Sequence, residues 1–380
     1  MEHCFGRSGL IAISVAQWAF AFGGMIAFCV IVGDTIPHVM RAMFPSLSNI
    51  SVLWLLTDRR AVIIIFILGI SYPLCLYRDV AKASHPLAKA STLALVSMII
   101  IVITVITQGI RVPTQDRGSL GPGLLTVNSG VFQAIGVISF AFVCHHNSLL
   151  IYGSLKKPTM DRFARVTHYS TGISMLACLT MAVAGFLTFG DKTEGNVLNN
   201  FAPDNVMVNV ARLYETLSFL YPFLPTIHHM RIPPSVPTRV RAVNTQRSCF
   251  GLNMLTTFPL ESFVCREVMT HFFFPTEPFH PNRHLIFTTS LVVTAVTLSL
   301  LTCDLGVVFE LIGATSACAL AYILPPLCYL KLSSRSWRTV PAVACVCFGV
   351  VVMGISLVQA GAKMIRVYGN IDTGGLLLVM

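Results

Sequence analysis

The sequence predicts an all-α polytopic membrane protein, and three observations lead there. Apolar residues fill 54% of the 380 positions and charged residues only 11%, against about 25% charged in soluble domains. The apolar residues gather into runs long enough to cross a hydrocarbon core, which takes roughly 20 residues of helix. The net charge of +10 sits in short clusters between those runs, as the positive-inside rule requires. A single membrane domain over residues 1–380 is the expectation.

In chain order the runs fall at 8–32, 61–77, 90–110, 130–153, 167–189, 249–264, 285–303, 305–330 and 339–361, about nine transmembrane helices. The first is too long for the apolar region of a cleavable signal and lacks a small-residue cleavage site, so it serves as the insertion signal. Alternate connections carry twelve Lys and Arg, around Arg78–Lys89, Lys156–Arg165, Arg266–Arg283 and Lys331–Arg338. The intervening ones carry six, around Arg41–Arg60, at Arg111 and Arg117, and at Lys192. The richer set is therefore cytoplasmic. The sequon Asn49-Ile50-Ser51 falls on the opposite, luminal or external side, which makes Asn49 a glycosylation acceptor. A further apolar run at 205–228 leads into 214–248, which holds five prolines and four arginines. Proline costs about 3 kcal/mol inside a helix, so 214–248 reads as an insert that adds no crossing.

Several function classes are excluded. No basic stripe with interleaved aromatics appears, so no nucleic acid partner is expected. The twelve cysteines lie mostly inside apolar runs, with neither zinc-ligand nor disulfide-framework spacing; buried free thiols are the reading. His145 and His146 are neighbours and cannot share a helix face, so no metal site is expected. No P-loop, nucleophile elbow or His-Glu-x-x-His occurs, and no soluble stretch could hold a nucleotide domain. An enzyme is not expected, nor a cofactor beyond a coupling Na⁺ or H⁺. Nothing in the residues sets the oligomeric state.

The stretch 130–153 organises the rest. Residues 131–153 hold no Asp, Glu, Lys or Arg, yet Ser139, Cys144, His145, His146 and Asn147 interrupt them mid-run. Polar groups at membrane depth face a bundle interior or a cavity, because lipid offers no partners. Ser139 either marks an opened backbone or bonds back to a carbonyl one turn earlier. Thr256 and Thr257 precede Pro259, whose missing N–H frees a carbonyl; hydroxyls beside it suit a hard cation such as Na⁺, or merely satisfy a kink. Glu310, near the start of its span, is either a proton site or part of a polar helix start. Glu261, Arg266 and Glu267 read as a solvated helix end, and Tyr169 and Tyr322 as packing or interface residues.

Six stretches carry a resemblance: FGRSGLIAISVAQWAFAFGGMIAFCVIVGDT (5–35), SYPLCLYRDVAK (71–82), VISFAFVCHHNSLLIYGSL (137–155), GFLTFGD (185–191), TTFPLESFVCREV (256–268) and CDLGVVFELIGATSACALAYILPPLCYLKL (303–332). Together, and in this order, they resemble the amino acid/auxin permease family, in its branch of fungal vacuolar and animal sodium-coupled neutral amino-acid transporters. The resemblance implies an inverted-repeat transporter fold of five plus five spans (LeuT/APC-like), truncated here because the likeness begins at the family's third span. It implies that 130–153 is the sixth span, unwound at Ser139–Phe142. Ser139, Phe140, Ala141, Phe142 and His145 would then bind substrate, with Thr256 and Thr257 coupling an ion. The implied cargo is a small neutral amino acid, moved by alternating access across a vacuolar or lysosomal membrane in preference to the plasma membrane, by symport or antiport. A non-transporting amino-acid sensor and an inactive truncated or misspliced product are the rivals.

Overall fold

The computed structural model describes residues 1–43, 53–77, 99, 102–103, 105–120, 130–144, 148, 152–153, 155, 157–193, 197–200, 257–302, 305–334 and 337–376. All regular structure among them is helical. We number the long helices α1 (Glu2–Met43), α2 (Arg59–Phe66, continued by a π turn Ile67–Ser71 and by Tyr72–Cys75), α3 (Gly130–Phe142), α4 (Met160–Phe189), α5 (257–273), α6 (Pro281–Leu301), α7 and α8 (Val340–Leu376). Helix α7 runs Leu305–Ile312, widens through two π turns at Gly313–Ala317 and Ala319–Ile323, and ends as Leu324–Leu332. Among the described residues, five helical stretches are long and apolar enough to span a membrane.

Local chemistry sets several helix ends. Asp58 accepts from Ala61 N at 2.9 Å and starts α2, and Thr159 accepts from Arg162 N at 3.4 Å and starts α4. Gly190, at φ +49°, stops α4; a side chain there would meet the Ser119 carbonyl. Pro281 opens α6, where its missing N–H costs nothing. Inside α6, Thr294 and Thr297 donate to Ser290 O and Val293 O at 2.7 and 2.8 Å, so their hydroxyls are satisfied without outside partners.

Helix α1 stands between two groups of helices. Its residues Ala21, Met25, Cys29, Val32 and Ile36 recur at helical spacing and form one buried stripe. That stripe packs on Val62, Ile63 and Ile67 of α2, on Phe258, Val264 and Cys265 of α5, and on Leu291, Val292, Ala295 and Val296 of α6. A second stripe, Ala16, Phe20 and Ala27, faces Val143 just past α3 and Val308, Ile312, Ala317, Leu320 and Leu324 of α7. A third, smaller cluster joins Val105 to Phe189 at the end of α4.

Polar clamps close both ends of the first group. Arg59 pairs with Asp34 at 2.7 Å and donates to Thr302 O at 3.2 Å, so the end of α1, the start of α2 and the end of α6 meet on one face. On the other face, Arg266 of α5 donates to Cys75 O at 2.7 Å and to the Thr288 hydroxyl at 2.9 Å, and His284 of α6 contacts Leu76 O at 3.0 Å. The three helices thus alternate in direction. Arg59 and Arg266 fall on opposite faces, as the charge count of their loops assigns them.

Two readings change. Arg266 and Glu261 are buried, at 5% and 8% exposure, rather than solvated: the carbonyls at the end of α2 need donors, and Arg266 supplies them. The run 130–153 is not one continuous helix, since α3 ends at Phe142.

Helices α3 and α7 cross with no side chain between them. A Cβ on Gly313 would fall on the Gly136 carbonyl, at 2.5 Å from its carbon, and one on Gly136 would lie 3.4 Å from Ala314 N. Because the obstacle is backbone, it cannot rotate away. Gly313→Ala is expected to lose about 1–3 kcal/mol by overpacking, read as a lower unfolding temperature in detergent than the wild type shows.

Candidate substrate and coupling site

The end of α3 is the centre of the site. The last regular rung has Val143 N donating to Ser139 O at 3.1 Å, and Val143 and Cys144 leave the helix. Carbonyls of a final turn have no intrahelical donors, and at membrane depth such a break is tolerated only where protein or a water-filled cavity surrounds it. Val143 meets that condition, at 6% exposure in the cluster shared with α1 and α7. The carbonyl end of a helix carries partial negative charge. It suits an ammonium group or a small cation, whereas a carboxylate calls for N–H groups from elsewhere.

The expected opening at Ser139–Phe142 is therefore displaced. All four residues are helical, and the chain departs from the helix immediately after them. Ser139 is buried and its hydroxyl bonds back to Ile135 O at 2.6 Å, the alternative the residues themselves allowed; it also lies 3.2 Å from the Tyr322 hydroxyl of α7. Phe140 joins α1 to α7, with its ring centre 5.2 Å from that of Phe20 and 4.8 Å from that of Phe309. Ala141 is exposed and Phe142 half-buried. His145, Thr256, Asn49 and the segment 214–248 lie outside the described residues.

Glu310 is 2% exposed, so it is not part of a solvated helix start. It sits on α7 at the crossing with α3, its carbonyl oxygen 3.6 Å from where a Gly136 side chain would begin. Ser139, Phe140 and Glu310 are thus gathered along one helix crossing. Thr257, half-buried, belongs to α5, which packs on the other stripe of α1. The α1 backbone at Gly23 and Gly24 separates the two sides: Ile312 of α7 presses on Gly23, and Glu261 Cγ of α5 comes within 3.5 Å of a Cβ at Gly24.

Sequence reasoning missed four residues here. Tyr322 is expected as a packing or interface residue; its ring does pack, edge-on to Phe348 at 5.4 Å, and its hydroxyl also reaches Ser139. Phe20 and Phe309 look like any apolar helix residue, because only the tertiary crossing brings them to Phe140. Arg266 falls just past the expected run 249–264, so nothing in the sequence separates it from a solvated helix end. Among the described residues no group of three His, Cys, Asp or Glu could hold a metal ion.

A family model described as transmembrane amino acid transporter protein matches residues 1–223 and 231–361. The chain belongs to that family. Its members are transporters and not enzymes. The chain is 39% identical over 373 residues to vacuolar amino acid transporter 2 of Saccharomyces cerevisiae, covering 94% of this chain and 69% of that one. It is 34% identical over 338 residues to putative sodium-coupled neutral amino acid transporter 11 of Danio rerio, covering 88% and 64%. The protein of the same description from Rattus norvegicus is 33% identical over 366 residues, covering 94% and 69%. The chain therefore spans 64–69% of the length of these relatives. The family match enters the expected insert from both sides and leaves only 224–230 of it unmatched.

Arg266 holds α5 in place through charge-assisted bonds, each worth about 1.5–3 kcal/mol. Arg266→Met is expected to lower the unfolding temperature markedly, and Arg266→Lys to restore part of the loss. Equal stability of wild type and Arg266→Met would contradict the clamp.

Proposed function

We propose that this chain is a secondary transporter that carries small neutral amino acids across a vacuolar or lysosomal membrane. The observation that carries the reading is the broken end of α3, held against α1 and α7 inside an apolar bundle. The carbonyl end at Phe142 takes the substrate ammonium, and Phe140 sits beside its side chain. His145, four residues after Ala141 in the sequence, completes the proposed contacts. The names of the relatives, vacuolar for the yeast protein and neutral amino acid for the fish and rat proteins, support both the cargo and the compartment.

Alternating access comes from the two stripes of α1. One group (α2, α5, α6) is clamped at both faces by Arg59 and Arg266 and acts as the frame. The other (α3, α7) meets α1 through rings and meets itself through bare backbone at Gly136–Gly313, so it can rock with little side-chain interlocking. This division fits an inverted-repeat fold of about nine spans in this chain. The coupling ion is H⁺ carried by Glu310, or Na⁺ held at Thr256 and Thr257. Glu310 is favoured because it is an ionisable side chain buried within a span, and such groups mark ion and proton paths.

Reconstitution into liposomes tests this. A neutral amino acid is expected to accumulate only when a pH or Na⁺ gradient is imposed. Glu310→Gln is expected to abolish accumulation driven by the pH gradient while leaving exchange of labelled for unlabelled substrate intact. Accumulation no greater than in protein-free liposomes would overturn the transporter reading, and wild-type pH-driven accumulation in Glu310→Gln would overturn the proton site.

A further inference from the structure

Three sulfur atoms meet where the start of α1 lies against the end of α7, outside the residues proposed to bind substrate. Gly6, at φ +58°, sets the first turn of α1 apart from the rest, and a Cβ at Gly9 would fall 2.5 Å from Met1 O. Residues 1–5 are therefore folded back along the helix, a reversal that glycine permits. Cys4 N and Phe5 N close the turn by donating to Met1 O at 3.0 and 2.9 Å. The turn presents Met1 and Cys4 to Cys328 of α7. The Cys328 thiol donates to Met1 Sδ at 2.9 Å, and the Cys4 thiol is in hydrogen-bonding contact with Cys328. All three residues are half-buried, so the cluster is held by packing and still open to the solvent side.

The donor set chooses the ligand. Thiolate and thioether are soft donors and select Cu(I) over harder cations. Zinc takes four ligands from Cys, His, Asp and Glu, and among the described residues no third group of that kind joins Cys4 and Cys328. The neighbouring Glu2 and His3 are exposed. A disulfide would use two of the sulfurs and leave the thioether idle. The loop charges place this end of α7, with Lys331, Arg335 and Arg338, in the cytoplasm, where thiols are kept reduced. Both cysteines are free thiols. Lys331, one turn beyond Cys328, lies near Cys4, where its charge offsets that of two thiolates.

We propose that Met1 Sδ, Cys4 Sγ and Cys328 Sγ form a three-coordinate site for Cu(I), which ties the first turn of α1 to the end of α7. On binding, the two thiols give up their protons to water. The bound site carries one negative charge beside Lys331, and no electron is transferred. Nothing in the transport reading depends on it.

The test titrates the full chain in detergent with Cu(I), anaerobically and under ascorbate, against the chelator bicinchoninate. The chain is expected to hold one Cu(I) against the chelator, and X-ray absorption to show sulfur neighbours alone. In selenomethionine-labelled protein one of those neighbours is expected to become selenium, which marks the thioether as a ligand. Cys4→Ser and Cys328→Ser are each expected to weaken the affinity more than about 100-fold, beyond the 10–100-fold that loss of an outer contact costs. Cys328→Met, which keeps a soft donor, is expected to recover part of it. Cys347→Ser, at an exposed thiol of α8, is expected to leave the affinity at the wild-type value. No Cu(I) held by wild type, no selenium neighbour in the labelled protein, or wild-type affinity in Cys4→Ser or Cys328→Ser would overturn the proposal. A Cys4–Cys328 disulfide in protein purified without oxidant, seen as linked peptides, would make the pair a redox bond and overturn it as well.

Discussion

Everything in this bundle depends on one helix being apolar on two faces. A surface helix needs a single stripe; α1 carries two, and each organises its own set of partners. Large side chains on both stripes would hold the neighbours apart. Here alanines and glycines alternate with Phe20, Met25 and Ile36, so the flanking helices approach closely. Van der Waals packing is the main attraction between helices in lipid, and it rewards that approach.

The two groups are held by different forces. The frame around α2, α5 and α6 is tied at its ends by charge-assisted bonds to backbone carbonyls, which are strong and directional. The α3–α7 pair is held by ring contacts, by one Ser139–Tyr322 hydroxyl contact and by bare backbone. Ring contacts and backbone surfaces permit sliding far more readily than a buried arginine does. The consecutive π turns of α7 fall where it crosses α3, and π turns are rare and concentrate at functional sites. A rigid frame with a softer partner on the far side of a shared helix is what the proposed rocking mechanism needs.

Much of this was legible in the residues. Hydropathy placed α2, α6 and α7 to within about four positions at both ends, because a bilayer core demands long apolar runs, whereas α1, α5 and α8 continue well past the ends expected for them and α3 stops short. The loop charges assigned faces that the Arg59 and Arg266 clamps respect. What stayed hidden was tertiary. Residues 139–144 include neither proline nor glycine, so nothing local marks the break after Phe142, and the resemblance placed the opening a few residues early. Arg266 looked like a solvated helix end because a cation and two acids within seven residues usually are one. Its true partners, Cys75 and Thr288, come from other helices. Tyr322 lies 183 positions from Ser139, and no periodicity connects them.

The central claim is that the chain just beyond α3 offers open backbone to an amino acid inside the membrane. Hydrogen–deuterium exchange on the reconstituted protein addresses it directly. The amide of Cys144 is expected to exchange faster than those of 135–139 and of Val143, which still donates to Ser139 O, and to slow when a neutral amino acid is added. Slow exchange throughout 135–144, unchanged by any amino acid, would show a sealed helix and contradict the account.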